Sequence, residues 1–218
     1  MLEASQLKIS LRASLATADA QTRPYPHWRL QAPLPNVTVD EICALPVLPP
    51  AIEDTFGRRE THNSSRLFFD VDQQKQFPVC AGLADALQDA DLVEALRATT
   101  GADLKGSYLR IEYCLDTNGF WLAPHTDIGA KFVTMLIYLN DPPEGEEWGT
   151  DIYESPVKYL GPAPGGRNRG LIFVPGQNTW HGFEKRPITG VRRSLIVNYV
   201  TPEWRSRHEL AFPGTPIS

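Results

Sequence analysis

Nineteen prolines and sixteen glycines interrupt this 218-residue chain, leaving few stretches long enough for extended helices and demanding many turns. That punctuation favours short strands over a helical bundle. Segments 107–114, 131–139, 170–174 and 192–200 are rich in Val, Ile, Tyr and Phe, and they predict strands. Shorter strands are expected at 120–124, 151–153 and 181–183, with a further one at 66–71. Before Gly101 the texture is different. Leu83, Leu87, Leu92, Val93 and Leu96 recur at helical spacing over residues 81–98, with a break near Asp89–Asp91 and Gly101 as terminator. Thr38 and Glu41 have capping-box spacing, which predicts a short helix to about Leu45, stopped by Pro46, Pro49 and Pro50. Residues 56–63 read as a polar surface loop and 161–170 as a mobile one. Helices followed by about eight strands give a mainly β expectation. An antiparallel barrel or two-sheet jelly roll, buttressed by N-terminal helices, accommodates that order.

Apolar residues at 42% and charged residues at 22% exclude global disorder. The formal net charge of -5 gives no general attraction to nucleic acid or an anionic membrane, though a local basic pocket for a small anion remains compatible. No apolar stretch approaches the ~20 residues of a membrane span, and the first twenty residues lack the pattern of a secretion signal. They read as a leader segment or a first structural element. Cys43, Cys80 and Cys114 form no CxxC pair, which argues against a disulfide framework and for a reducing, cytoplasmic setting.

The chemistry concentrates in a few residues. His27, His62 and His208 lie near expected loops or termini, whereas His125 is followed two positions later by Asp127. On an extended segment those side chains share a face, so imidazole and carboxylate can occupy adjacent coordination positions. His181 lies beyond the strand at 170–174 and the turn at Pro175–Asn178, and a returning strand can bring it alongside. Two imidazoles and one carboxylate leave roughly three positions open on an octahedral metal, as an oxygen-activating site requires. A structural zinc site closes its shell instead.

Further along, Arg192, Ser194, Ile196 and Asn198 share one strand face. An inward arginine binds a carboxylate bidentately, with a hydroxyl two residues away to assist.

Taken in order, these elements resemble the iron(II)- and 2-oxoglutarate-dependent dioxygenases, most of all the prolyl-4-hydroxylase-like branch. His125 and Asp127 match the first two metal ligands, His181 the third, and Arg192-Arg193-Ser194 the cosubstrate element. The resemblance spans about residues 107–200. It implies a double-stranded β-helix (jelly-roll) core over about 106–201 within a single domain of residues 1–218. It also implies iron(II), 2-oxoglutarate as cosubstrate, and hydroxylation with release of succinate and carbon dioxide. Arg192 and Ser194 would take the distal carboxylate, with Tyr113, Thr134 or Tyr138 completing the contacts. Two departures argue against a peptidyl-prolyl substrate; a small metabolite is the expected substrate, with a protein side chain as the other option. Residues 146–151 lack the branch's paired glycines, and Asn198 stands where relatives often place a bulky aromatic. A metal cupin that uses no 2-oxoglutarate and a non-catalytic jelly-roll binding module are the alternative readings. Candidates for the pocket rim are Tyr25, His27, Trp28, Arg66, Phe68, Trp121, Trp148, Arg167, Arg169, Trp180 and Phe183.

Overall fold

A computed structural model describes residues 4–58 and 66–218. From residue 59 onward the loop expected at 56–63, His62 included, lies outside the described residues. The helices are α1 (Ala4–Ala16), α2 (Asn36–Cys43), α3 (Val71–Gln76), α4 (Pro78–Gln88) and α5 (Ala90–Thr100). The first strands are β1 (Asp19–Gln21), β2 (His27–Gln31), β3 (Arg66–Phe68), β4 (Tyr108–Asp116), β5 (Leu122–His125) and β6 (Lys131–Tyr138). They are followed by β7 (Asp151–Ser155), β8 (Lys158–Pro162), β9 (Arg169–Phe173), β10 (His181–Phe183) and β11 (Arg192–Val200).

Local signals account for the helix ends. Asp89 separates α4 from α5, and its carboxylate accepts the amide of Asp91. Gly101 closes α5 in a left-handed conformation, at φ 74°. The capping box at Thr38 does not form. The helix begins earlier, with Pro35 at its N-cap position, and Thr38 lies inside it with its side chain buried. The expected strand at 66–71 stops at Phe68, because the Asp70 carboxylate accepts the amides of Asp72 and Gln73 and opens α3.

Two antiparallel sheets form the strand layer, ordered β1-β2-β9-β6-β11-β4-β3 and β5-β10-β7-β8. No strand pairing joins them among the described residues, so the barrel is not closed by hydrogen bonds. Helices and strands occupy comparable shares of the chain, which corrects the mainly β expectation. Among the described residues, α1, α2, α4 and α5 pack their buried side chains on one face of the larger sheet.

That coverage decides which way each strand residue points. Leu109, Ile111 and Tyr113 of β4, Val133, Met135 and Ile137 of β6, and Leu195, Val197 and Tyr199 of β11 pack with Leu11, Leu83, Leu92 and Leu96 of the helices. The Tyr199 hydroxyl donates to the Leu87 carbonyl, 2.6 Å away, tying sheet to helix. Alternate residues Cys114, Leu136, Tyr138 and Ile196 face the smaller sheet and pack with Ile152. The segment at 161–170 is not loose. β8 takes its start, and the Asn168 amide brackets Leu34, donating to its carbonyl and accepting from its N–H.

Candidate metal centre

β5 and β10 pair antiparallel with His125 opposite His181, and their rings lie 4.2 Å apart between centroids. Asp127 follows two residues after His125, but not on an extended strand as the spacing suggested. β5 ends at His125, and Asp127 adopts a left-handed backbone at φ 58°. Aspartate tolerates that region better than most residues. The turn swings its carboxylate back between the rings. Asp127 Oδ1 lies 3.8 Å from His125 Nε2, and Oδ2 lies 3.5 Å from His181 Nε2. Ligands about 2.1 Å from one octahedral metal stand about 3 Å apart, so a small contraction would close the three around an ion.

The histidines are oriented for ligation. His125 Nδ1 lies 2.9 Å from the Ala123 carbonyl and His181 Nδ1 2.8 Å from the Thr179 carbonyl. A carbonyl only accepts, so each Nδ1 carries the proton and each Nε2 presents a lone pair to the other ligands. Burial, then the neighbouring His181 ring, pushes the His125 pKa down to about 4 against the opposing pull of Asp127. Burial alone would raise the Asp127 pKa, but the Lys131 ammonium and the two histidines hold it well below the usual carboxylate range. Lys131 Nζ donates to Asp127 Oδ2 at 2.7 Å. The donor set at neutral pH therefore includes an ionised carboxylate and a neutral His125, the forms a divalent cation needs. In a pH titration of the metal-free protein by NMR, the His125 imidazole should stay neutral at pH 5 and take up its proton near pH 4. Because the unfolded chain protonates this group near 6.5, its share of stability should fall as pH drops from 6.5 to 4 and then level off.

The three ligands open into a cavity of about 420 Å³ lined also by Lys131, Thr134, Leu136, Thr150, Phe183 and Arg192. Arg192 is buried. Its Nε donates to the Trp148 carbonyl at 2.8 Å, its Nη1 to Asp116 Oδ2 at 2.5 Å, and its guanidinium stacks 4.5 Å from the Phe183 ring centre. Thr150 Oγ1 and Ser194 Oγ are buried without hydrogen-bond partners among the described residues. Tyr138, cross-strand from Ser194, accepts the Thr150 amide at 3.0 Å. Burial pushes the Tyr138 phenol up, so its O–H remains a donor. A buried arginine with Thr150 in the same cavity lining and Ser194 on its own strand face fits a carboxylate.

The structure thus brings His125, Asp127, His181, Arg192, Thr134 and Tyr138 to one region, with Ser194 on the same strand face. Thr134 is engaged, donating to Asn198 Oδ1 at 3.0 Å. Tyr113 is not among them. It pairs in register with Leu195, not Ser194, and its ring packs under the helices. Of the rim candidates, Arg66 and Phe183 line the cavity. Phe68 lies beneath the Arg110 guanidinium. Trp148 packs with Phe120, Phe183 and Ile188, and only its carbonyl serves the site. Arg167 pairs with Asp40 away from the cavity, and Tyr25 is buried in the inter-sheet core. Trp121 borders a separate surface groove. His27, Trp28, Arg169 and Trp180 are not among the cavity-lining residues. Asp116, Thr150 and Lys131 were missed as site residues. Asp116 sits opposite Arg192 across the β4–β11 ladder, a relation no local spacing reveals.

No family model matches this sequence, and no curated protein matches it significantly. Solved structures do match. A prolyl 4-hydroxylase from Phytophthora capsici superposes with a TM-score of 0.59 at 12% identity, over 91% of this chain and 65% of that one. This chain therefore spans somewhat less than two thirds of that enzyme's length. The chain has the prolyl 4-hydroxylase fold. A Pseudomonas putida prolyl-4-hydroxylase gives a TM-score of 0.54 at 16% identity, over 89% of this chain and 94% of that one. HygX from Streptomyces hygroscopicus, solved with nickel and 2-oxoglutarate bound, gives 0.51 at 14% identity, over 80% of this chain and 82% of that one.

Proposed function

We propose that this chain is an iron(II)- and 2-oxoglutarate-dependent oxygenase that hydroxylates a small metabolite and releases succinate and carbon dioxide. The observation that carries the reading is one cavity lined by both an open 2-His-1-carboxylate set and the buried Arg192, with Thr150 beside it. HygX, which holds nickel and 2-oxoglutarate on the same fold, supports it.

In this reading His125, Asp127 and His181 hold the iron, and Arg192, Ser194, Thr150 and Tyr138 bind the distal carboxylate of 2-oxoglutarate. Bound iron(II) would supply the oxidising chemistry by activating oxygen. Ala123 and Thr179 keep the histidine tautomers correct, and Lys131 keeps Asp127 ionised. Asp116 and the Trp148 carbonyl fix the Arg192 fork, leaving its remaining edge for the ligand. Phe183 and Leu136 keep that end of the cavity apolar, which strengthens the charge pairing. We read the two sheets as a double-stranded β-helix over about 106–201, and residues 1–218 as one domain. Free thiols at Cys43, Cys80 and Cys114 fit a reducing compartment. Among the described residues no helix is long and apolar enough to cross a membrane.

Anaerobic titration of the iron-loaded protein with 2-oxoglutarate, followed by oxygen exposure, tests the reading. Succinate should form in an iron-dependent manner. Iron binding without 2-oxoglutarate turnover would favour a metal dioxygenase that uses no such cosubstrate, and failure to bind any divalent metal would favour a binding module.

A further inference from the structure

At the end of the cavity away from Arg192 lies a second charged group that the metal and cosubstrate reading does not use. Arg110 and Glu112 lie six and four residues before Asp116 on β4, which places them about 13–20 Å along the strand. Arg110 Nη1 donates to Glu112 Oε1 at 2.7 Å and its Nε to Glu209 Oε2 at 2.6 Å. Its guanidinium lies between the Phe68 and Trp204 rings, 4.8 Å and 5.1 Å from their centres. Arg66, on the neighbouring β3, pairs with Glu112 Oε2 at 3.2 Å. Arg66, Arg110, Glu112 and Trp204 all line the cavity that holds the metal ligands.

Three buried nitrogens at this end have no acceptor among the described residues: Arg66 Nη2, Trp204 Nε1 and Asn198 Nδ2. Asn198 faces Arg110 across the β4–β11 ladder. The Arg66 side chain is 8% exposed, so bulk solvent does not satisfy it. All three are N–H donors; none is an acceptor. Two of these donors belong to residues that line the cavity, Arg66 and Trp204, and buried donors beside a cavity call for an acceptor-rich ligand group. The two arginines are already balanced by two glutamates, so the site suits a monoanion better than a phosphate dianion.

Resting on the oxygenase reading, we propose that this end anchors the carboxylate of the primary substrate. The substrate class is then a small carboxylic acid, held by Arg66 with Trp204 and oxidised at a carbon remote from that group. Glu112 and Glu209 position the arginine forks.

The test uses the full chain loaded with manganese(II) and saturating 2-oxoglutarate. Probes are L-proline, L-leucine and 3-phenylpropionate, each titrated calorimetrically against its primary amide. At least one acid should bind about tenfold more tightly than its amide, a ratio set by charge-assisted bonds. Arg66→Gln should bring that ratio close to one while 2-oxoglutarate still binds. Trp204→Phe keeps a ring over Arg110 but removes one donor, and should lower acid affinity severalfold without touching the ion cluster. Equal binding of acid and amide, no binding by any acid, or a preference that survives in both variants overturns the proposal. If 2-oxoglutarate itself does not bind, the oxygenase reading falls, and the acid–amide comparison still decides whether this end takes carboxylates.

Discussion

Asp127→Asn is expected to weaken iron(II) binding by more than about a hundredfold, since even partners one shell out from a metal are worth about 10–100-fold. The carboxylate is the sole anion in the triad and contributes both a ligand atom and the charge that offsets the metal. Asparagine is the informative replacement because it also tolerates the left-handed backbone at φ 58°. Alanine there would add backbone strain of about 1–2 kcal/mol and confuse folding with ligation. Equilibrium dialysis with iron under anaerobic conditions measures the effect, with circular dichroism to check the fold. Affinity within a few-fold of the original protein would mean that the metal is held elsewhere.

The second large effect belongs to Arg192, where binding and stability are coupled. Arg192→Ala should weaken 2-oxoglutarate binding by about two orders of magnitude, as truncating one partner of a buried charge pair costs about 2–5 kcal/mol. It should also destabilise the protein by about 3–5 kcal/mol, because it breaks the buried ion pair with Asp116 by removing one partner. The pair of changes Asp116→Leu and Arg192→Met removes both charges and should recover most of that stability, yet bind 2-oxoglutarate no better. Urea unfolding alongside calorimetric titration separates the two quantities. Recovered cosubstrate binding in the double variant would show that Arg192 serves packing alone.

The helix layer, the strand boundaries and the metal ligands differ in how much of each was readable from local signals. Asp89 and Gly101 act on their own neighbouring amides and carbonyls, so the break between α4 and α5 and the end of α5 follow from nearby residues. The strand at 192–200 and the three-residue strand bearing His181 emerge where β-prone residues meet turn residues. Even there, local patterns had rivals. Thr38 had a capping partner at the correct spacing, but burying its side chain in the core with Pro35 opening the helix prevailed.

Tyr113 and Asp116 show what strand alternation carries and what only register supplies. On β4 the polar residues Arg110, Glu112 and Asp116 alternate with Leu109, Ile111, Tyr113 and Leu115, so Tyr113 shares its face with the apolar residues, and the helices cover that face. A one-residue change of register exchanges the faces. Pairing Leu195 with Tyr113, and Arg192 with Asp116, sends the tyrosine under the helices and gives the arginine its buried partner.

The sequence by itself determined the residue types that can ligate a metal and grip a carboxylate, because each depends on chemistry and spacing within a few residues. The tertiary structure decided which strand faces meet, how the turn at Asp127 returns its carboxylate between two rings, and which donors remain unpaired at the far end of the cavity. Those outcomes depend on sheet register and helix coverage, and these are set by contacts between residues far apart in the chain.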